Sequence, residues 1–225
     1  MIRTFTRLAV LSLTIAVGPG CTSAPPTAAA HPAALALGFL VPVQDMNGEP
    51  VSGDGIFRPL GDDAARHVQS GMVCPTKGDG IQLIRLFVHP TTPPGHDVGC
   101  DYGNDGGGKT TLYATAVDPA MASRAYGQQI ASEIRTFYRD AVPAEGPMVA
   151  TPTNLPQIVG GAFRVTSHGK PMITSFWATV VQGWGIEVRS TYPESTRSAA
   201  EARAAAFCLA AELWVFGAQQ DRPAT

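Results

Sequence analysis

The sequence predicts an α+β domain, an antiparallel sheet packed by two long helices, and three observations point that way. Segments rich in β-branched and aromatic residues recur with period-two alternation. Two other stretches repeat apolar residues every three to four positions, as one helix face requires. The order is strands then helix, twice over, which separates helices from a meandering sheet instead of interleaving them. With 225 residues and 44% hydrophobic content, the chain can build one ordinary domain with a real core.

Residues 35–217 carry that domain, followed by a tail over 218–225. Leu35 to Val43 is apolar, either a first edge strand or a segment packed on the core. Gln44 to Gly55 is loop, by its Asn47-Gly48, Pro50 and Gly53-Asp54-Gly55. Ile56 to Leu60 predicts a short strand and Asp62 to Gln69 a short helix. Ile81 to Val88 is a long apolar strand. Beyond the proline-rich turn from His89 to Gly95, Val98, Cys100 and Tyr102 alternate onto one face, and Thr110 to Val117 forms another strand. Asp118-Pro119 opens the first long helix, with Asp as N-cap and Pro in the first turn. Tyr126, Ile130, Ile134 and Phe137 then fall at spacings of 4, 4 and 3, one apolar stripe for a sheet face, and the helix ends near Asp140.

The second half repeats the plan. Met148 to Thr151 and Gly161 to Thr166 are short strands, Pro171 to Val181 a longer one, and Gln182-Gly183 a tight turn into Trp184 to Tyr192. In that last strand Trp184, Ile186, Val188 and Tyr192 face one way and Glu187, Arg189 and Thr191 the other, which predicts burial on one side only. Ser198 to Glu201 has the form of a capping box, and the second long helix runs past Trp214 to a stop at Gly217.

The first thirty residues give an address. Arg3 and Arg7 precede the apolar run Leu8 to Val17, which is ten residues long where a membrane span needs about 20. A basic start and a short apolar run ahead of small residues make a secretory signal over 1–20. Gly18-Pro19-Gly20-Cys21 resembles a bacterial lipobox, which implies a diacylated Cys21 and a membrane held through that lipid. Gly18 and Pro19 depart from the usual lipobox residues, and Ala28-Ala29-Ala30 offers a rival cut that frees a soluble periplasmic or secreted protein from His31. Residues 22–34 lack any large apolar side chain and read as a disordered tether. In the lipoprotein resemblance, Thr22 after the cysteine implies an outer-membrane lipoprotein facing the periplasm.

Charge and cysteine usage exclude some functions. Without the signal, 14 basic residues stand against 18 acidic ones with no basic cluster, which argues against nucleic acid. Of the four cysteines, Cys21 has the lipid to carry, so at most one pair forms among Cys74, Cys100 and Cys208. Cys74 and Cys100 lie at or beside short strands and are the expected disulfide, while Cys208 on a helix face reads as a buried free thiol.

Strands, helix, strands and a terminal helix look like the Mog1/PsbP-type α/β/α sandwich of many small bacterial lipoproteins. Ser70 to Pro75, Val98 to Tyr102 and Thr111 to Thr115 also resemble an uncharacterised proteobacterial envelope family. The sandwich resemblance implies a binding or assembly accessory, and it names no partner.

Several chemistries are tempting and fail on context. Gly103 to Thr110 satisfies G-x-x-x-x-G-K-[ST], yet the β-forming Thr111 to Val117 follows where a nucleotide site needs a helix N-terminus, so no nucleotide is expected. Asp101, Asn104 and Asp105 lack the order of a calcium loop, and His89 and His96 lack a third zinc ligand, so neither metal nor cofactor is expected. Ser70, Ser167 beside His168, and Ser175 show no base-and-orienter set, and Glu133, Asp140, Glu187 and Glu194 read as solvated acids. Among the clustered aromatics Phe176, Trp177, Trp184 and Tyr192, core packing is the ordinary role, with Trp177 and Trp184 the candidates for facing a ligand. The expectation is a non-catalytic envelope module that binds a partner protein, a cell-wall component or an apolar ligand. The alternative is a small periplasmic hydrolase using His168 and Ser167 or His89.

Overall fold

The computed structural model describes residues 41–220 except 79, 105, 106, 148–150 and 152–154. The signal, Cys21, the tether, residues 35–40, Asp105, most of the strand expected at Met148 to Thr151 and residues 221–225 lie outside the described residues. The elements in chain order are β1 (Val43–Gln44), β2 (Phe57–Pro59), β3 (Ala64–His67), β4 (Val73–Pro75), β5 (Lys77–Gly78), β6 (Ile81–Val88), β7 (Asp97–Asn104), β8 (Gly108–Ala116) and α1 (Ser123–Phe137), then β9 (Val142–Ala144), β10 (Val159–Ser167), β11 (Lys170–Val181), β12 (Trp184–Tyr192) and α2 (Arg197–Gln220). The domain is α+β, as expected.

Nine strands form one sheet in the order β1-β6-β7-β8-β12-β11-β10-β9, with β5 beside β6. The sheet is mixed, not purely antiparallel, because β1 runs parallel to β6 at the edge. Hairpin chemistry sets most of the registers. Gln182 and Gly183 both have positive φ, 47° and 82°, the pair that a two-residue hairpin turn with the right twist needs. That turn fixes Val181 opposite Trp184 and every pair down to Ile173 opposite Tyr192.

Alternation along β11 sends successive side chains to different helices. Phe176 and Ala178 pack with Tyr126, Ile130 and Ile134 of α1, while Trp177 packs with Ala204, Cys208 and Ala211 of α2. The two helices therefore take opposite faces of the sheet. On the α2 face the core continues through Val188, Ile186, Leu112, Ala114, Cys100, Val98 and Leu86, each fully buried. A second, three-stranded sheet of β2, β3 and β4 joins this core through Phe57 and Met72. Cys74 of β4 and Cys100 of β7 are disulfide-bonded, 26 residues apart with Cα atoms at 6.1 Å, and Cys208 is a buried free cysteine.

Five local expectations need correction. Asp62 to Gln69 is no helix, since Ala64–His67 pairs on both sides, with β2 and with β4. Asp118 does not cap α1. Its carboxylate accepts the Ala120 N–H in a local turn, and the helix begins at Ser123 without a side-chain cap. Phe137, expected in the buried stripe, is the last residue of α1 and is 77% exposed. Ser198 lies inside α2, so no capping box forms, and Glu201 instead accepts hydrogen bonds from Arg197 and Tyr192. Gly217 does not stop α2, which runs to Gln220.

Candidate functional site

The alternation that buries Leu112 and Val188 places a run of polar residues on the other face. Antiparallel registers line these up in rows across four strands. Arg85 lies opposite Asp101, Asp101 opposite Thr111 and Thr111 opposite Arg189. In the next row Phe87, Gly99, Tyr113 and Glu187 are successive partners. In the third, Asp97 pairs with Thr115 and Thr115 with Gly185. Helix α1 lies over β10 and β11 and leaves these rows beside it.

Two glycines make room for rings in this surface. A Cβ on Gly99 would fall 2.2 Å from the Phe87 ring, and one on Gly185 would fall 2.5 Å from the Tyr126 ring of α1. Both positions need the missing side chain so that an aromatic can lie flat against the strand. The result is a cleft of about 400 Å³ between α1 and the strands, lined in part by His89, Asp97, Tyr113, Tyr126, Glu187 and Arg189. Lys109, Thr111, Thr115, Glu133, Phe137 and Tyr138 are also among its walls.

The charges in the cleft are held by fixed partners. Asp101, only 3% exposed, accepts hydrogen bonds from Arg85 Nε at 2.7 Å and Thr111 Oγ1 at 2.7 Å, and Lys109 Nζ lies 2.9 Å away. Burial alone would raise its carboxyl, but the bonds from Thr111, Lys109 and Arg85 outweigh that and hold it below the ordinary carboxylate range. Glu187, 4% exposed, accepts Arg189 Nε at 2.7 Å. Arg189 also lies 5.4 Å over the Tyr113 ring and reaches Glu133 of α1 at 3.6 Å. Burial raises the Glu187 carboxyl in spite of Arg189. It likewise raises Asp97, which accepts the Thr115 hydroxyl at 3.0 Å and faces His89. Two desolvated carboxyls above their ordinary range in one concave, polar site are a recognised mark of function.

No protein-family model matches the chain, and no curated protein matches its sequence. The site must therefore be judged on its own chemistry. Among the described residues, no group of three His, Cys, Asp or Glu side chains is placed to hold a metal ion. His89 packs against Phe87 and His96 against Trp184, so the two histidines turn to different rings. Ser167 and His168 sit at the β10–β11 hairpin, His168 with φ of 50°, and do not line the cleft that holds His89. Lys109 of the G-x-x-x-x-G-K-[ST] string is the second residue of β8 and is tied to Asp101. Trp177 and Trp184 are buried on the α2 face, 1% and 8% exposed, and neither lines the cleft.

The sequence carried a signal for this site. Glu187, Arg189 and Thr191 were visible as one face of a strand, and Lys109, Thr111, Tyr113 and Thr115 alternate in the same way. Assigning that face to solvent was the error, since Glu187 is buried. Only strand order brings the two polar faces side by side, and local periodicity does not encode strand order.

Proposed function

We propose that the protein is an exported envelope module, held to the outer membrane by a lipid on Cys21, that binds a polar ligand in the α1-face cleft without catalysing a reaction. The observation that carries this reading is the fixed ion network. Arg85, Lys109, Thr111 and Asp101, with Glu187 and Arg189, are locked to one another before any ligand arrives, so the cleft offers charge and shape with little ordering cost. The charged and hydroxyl groups among its walls favour a cell-wall component or the polar surface of an envelope protein over a purely apolar ligand. Helices on opposite faces of one sheet are consistent with the Mog1/PsbP-type α/β/α sandwich, whose members act mostly as accessories. The Cys74–Cys100 disulfide fits an oxidising compartment.

Two experiments test the parts separately. Metabolic labelling with a palmitate analogue should mark the protein, and Cys21→Ala should abolish the mark. Persistent label in that variant, or a mature N-terminus at His31, removes the anchor. For the cleft, ligand-observed NMR against a small-molecule extract of envelopes should give signals that vanish with Arg189→Met. Signals indifferent to that variant would place binding elsewhere.

The hydrolase reading keeps one favourable observation, the raised Asp97 carboxyl facing His89 in the cleft. Turnover of ester or amide substrates that is lost in His89→Gln would replace the binding-module reading with this one.

A further inference from the structure

The charge of the cleft is unevenly committed. Its acids are Asp97, Glu133 and Glu187, and its permanent cations are Lys109 and Arg189. Lys109 is taken by Asp101 at 2.9 Å and Arg189 by Glu187 at 2.7 Å. Asp97 is left with the Thr115 hydroxyl and His89, and Glu133 with the neutral Gln129 amide at 3.0 Å and a 3.6 Å approach to an arginine that Glu187 already holds. An anionic ligand would meet cations already paired and two carboxylates, Asp97 and Glu133, that no cation is fully committed to. A cationic ligand would meet the reverse.

Aromatic rings point the same way. Tyr113, Tyr126, Phe137 and Tyr138 all line the cleft, and ring faces attract cations. The protein already uses one of them so, with the Arg189 guanidinium 5.4 Å above Tyr113. A bare metal ion does not suit the site, because among the described residues no three His, Cys, Asp or Glu side chains are placed to hold one. An organic cation, longer than a metal ion and able to lie on rings, does.

We infer that the cleft takes an organic cation, with a primary ammonium or guanidinium group seated by Asp97 and Glu133 against the rings of Tyr113 and Tyr126. This rests on the cleft being the ligand site, as proposed above, and adds the ligand's chemical class. Burial holds Asp97 above its ordinary range against the pull of His89 and Thr115, and Glu133 adds a little to the rise, so a cation beside Asp97 relieves that cost.

The test uses the full chain, labelled with nitrogen-15, titrated with agmatine and phenethylamine as cationic probes and with inorganic phosphate and glutarate as anionic ones. The amines should shift the amides of Gly99, Tyr113 and Gly185 in a saturable way, and the anions should not. Asp97→Asn and Glu133→Gln should each weaken amine binding about tenfold, roughly 1.4 kcal/mol. The Glu133 side chain is half-exposed at 51%, so Glu133→Gln keeps its fold and stands as the decisive variant should Asp97→Asn misfold. Anions that shift these amides while amines do not would overturn the cation class and leave the cleft as the site. Silence from both probe classes would overturn the cleft reading with it. Amine binding unchanged in Glu133→Gln and Asp97→Asn would overturn the inference as well.

Discussion

Leu112 and Tyr113 are neighbours on β8 and meet opposite environments. Leu112 is fully buried in an apolar layer that runs unbroken from β6 to β11 under α2, whereas Tyr113 opens onto a cleft of paired charges. The same contrast holds at Cys100 and Asp101 on β7, and at Val188 and Arg189 on β12. Helix coverage makes the difference. Helix α2 has 24 residues, lies over β11 and β12 and reaches β4, while α1 has 15 and lies over β10 and β11. Strands β7, β8 and β12 are packed on one side by α2 together with the small sheet of β2, β3 and β4, and stand beside α1 on the other. Between β7 and β12 one face of the sheet is apolar core, and the other carries the cleft proposed as the ligand site.

Substitution at one position should then cost stability or binding according to which way its side chain points. The largest expected effect is Trp177→Ala on the α2 face, where an indole that is 1% exposed leaves a cavity costing about 3–5 kcal/mol in urea denaturation. Amine binding in the folded fraction should be unchanged. A loss of affinity without a loss of stability would erase the division between faces and return Trp177 to the ligand.

Next comes the staple at Cys74 and Cys100, which joins the small sheet to the α2 face. Closing 26 residues of chain contributes on the order of 3 kcal/mol, so Cys74→Ser with Cys100→Ser should lower the melting temperature by several degrees. An unchanged melting temperature would mean that the hydrophobic layer alone fixes the small sheet.

Asp101, one residue on and facing the other way, should matter less and in a pH-dependent manner. Asp101→Asn removes the charge that Arg85 and Lys109 share, and because Lys109 is 54% exposed the loss should be about 1–2 kcal/mol at pH 7. The native carboxyl lies below its ordinary range, so its contribution is present above pH 4 and fades as pH falls through the lowered value. Wild type and variant should converge in stability once the pH has fallen below that lowered value. A gap that persists there would show that shape, not charge, is what Asp101 supplies.

How much of this was legible in the sequence follows the same division. The strands from Ile81 to Val88 and from Trp184 to Tyr192 were readable because period-two burial is a local property of the chain. So was the buried thiol of Cys208, which sits on the apolar side of a helix. The β3 strand was not, because Ala64 to His67 has no strong local preference and becomes a strand only by pairing with β2 and β4. The cleft was hidden for a related reason. Asp97 and Tyr113 come from neighbouring strands of one hairpin, but Glu187 comes from a strand beyond α1 and the β10–β11 hairpin, and nothing within β8 says that β12 will be its other neighbour.

The smallest expected effect lies inside the apolar layer and sharpens the contrast from within. Glu212 of α2 is fully buried, with one carboxylate oxygen accepting the Thr179 hydroxyl at 3.1 Å and the other without a hydrogen-bond partner among the described residues. Burial raises its carboxyl to about 7, only partly offset by Thr179. A raised acid binds its proton more tightly in the folded state than in the unfolded one, so its favourable contribution is complete below pH 4 and is lost as pH climbs toward 7. Glu212→Gln keeps the shape and an acceptor for Thr179 while removing the charge. It should leave the melting temperature near pH 5 almost unchanged and raise it slightly at pH 8, by roughly 1 kcal/mol of stability. A loss of stability at pH 8 would mean that the charged carboxylate has found a compensating partner under α2. The α2 face would then hold a second polar site.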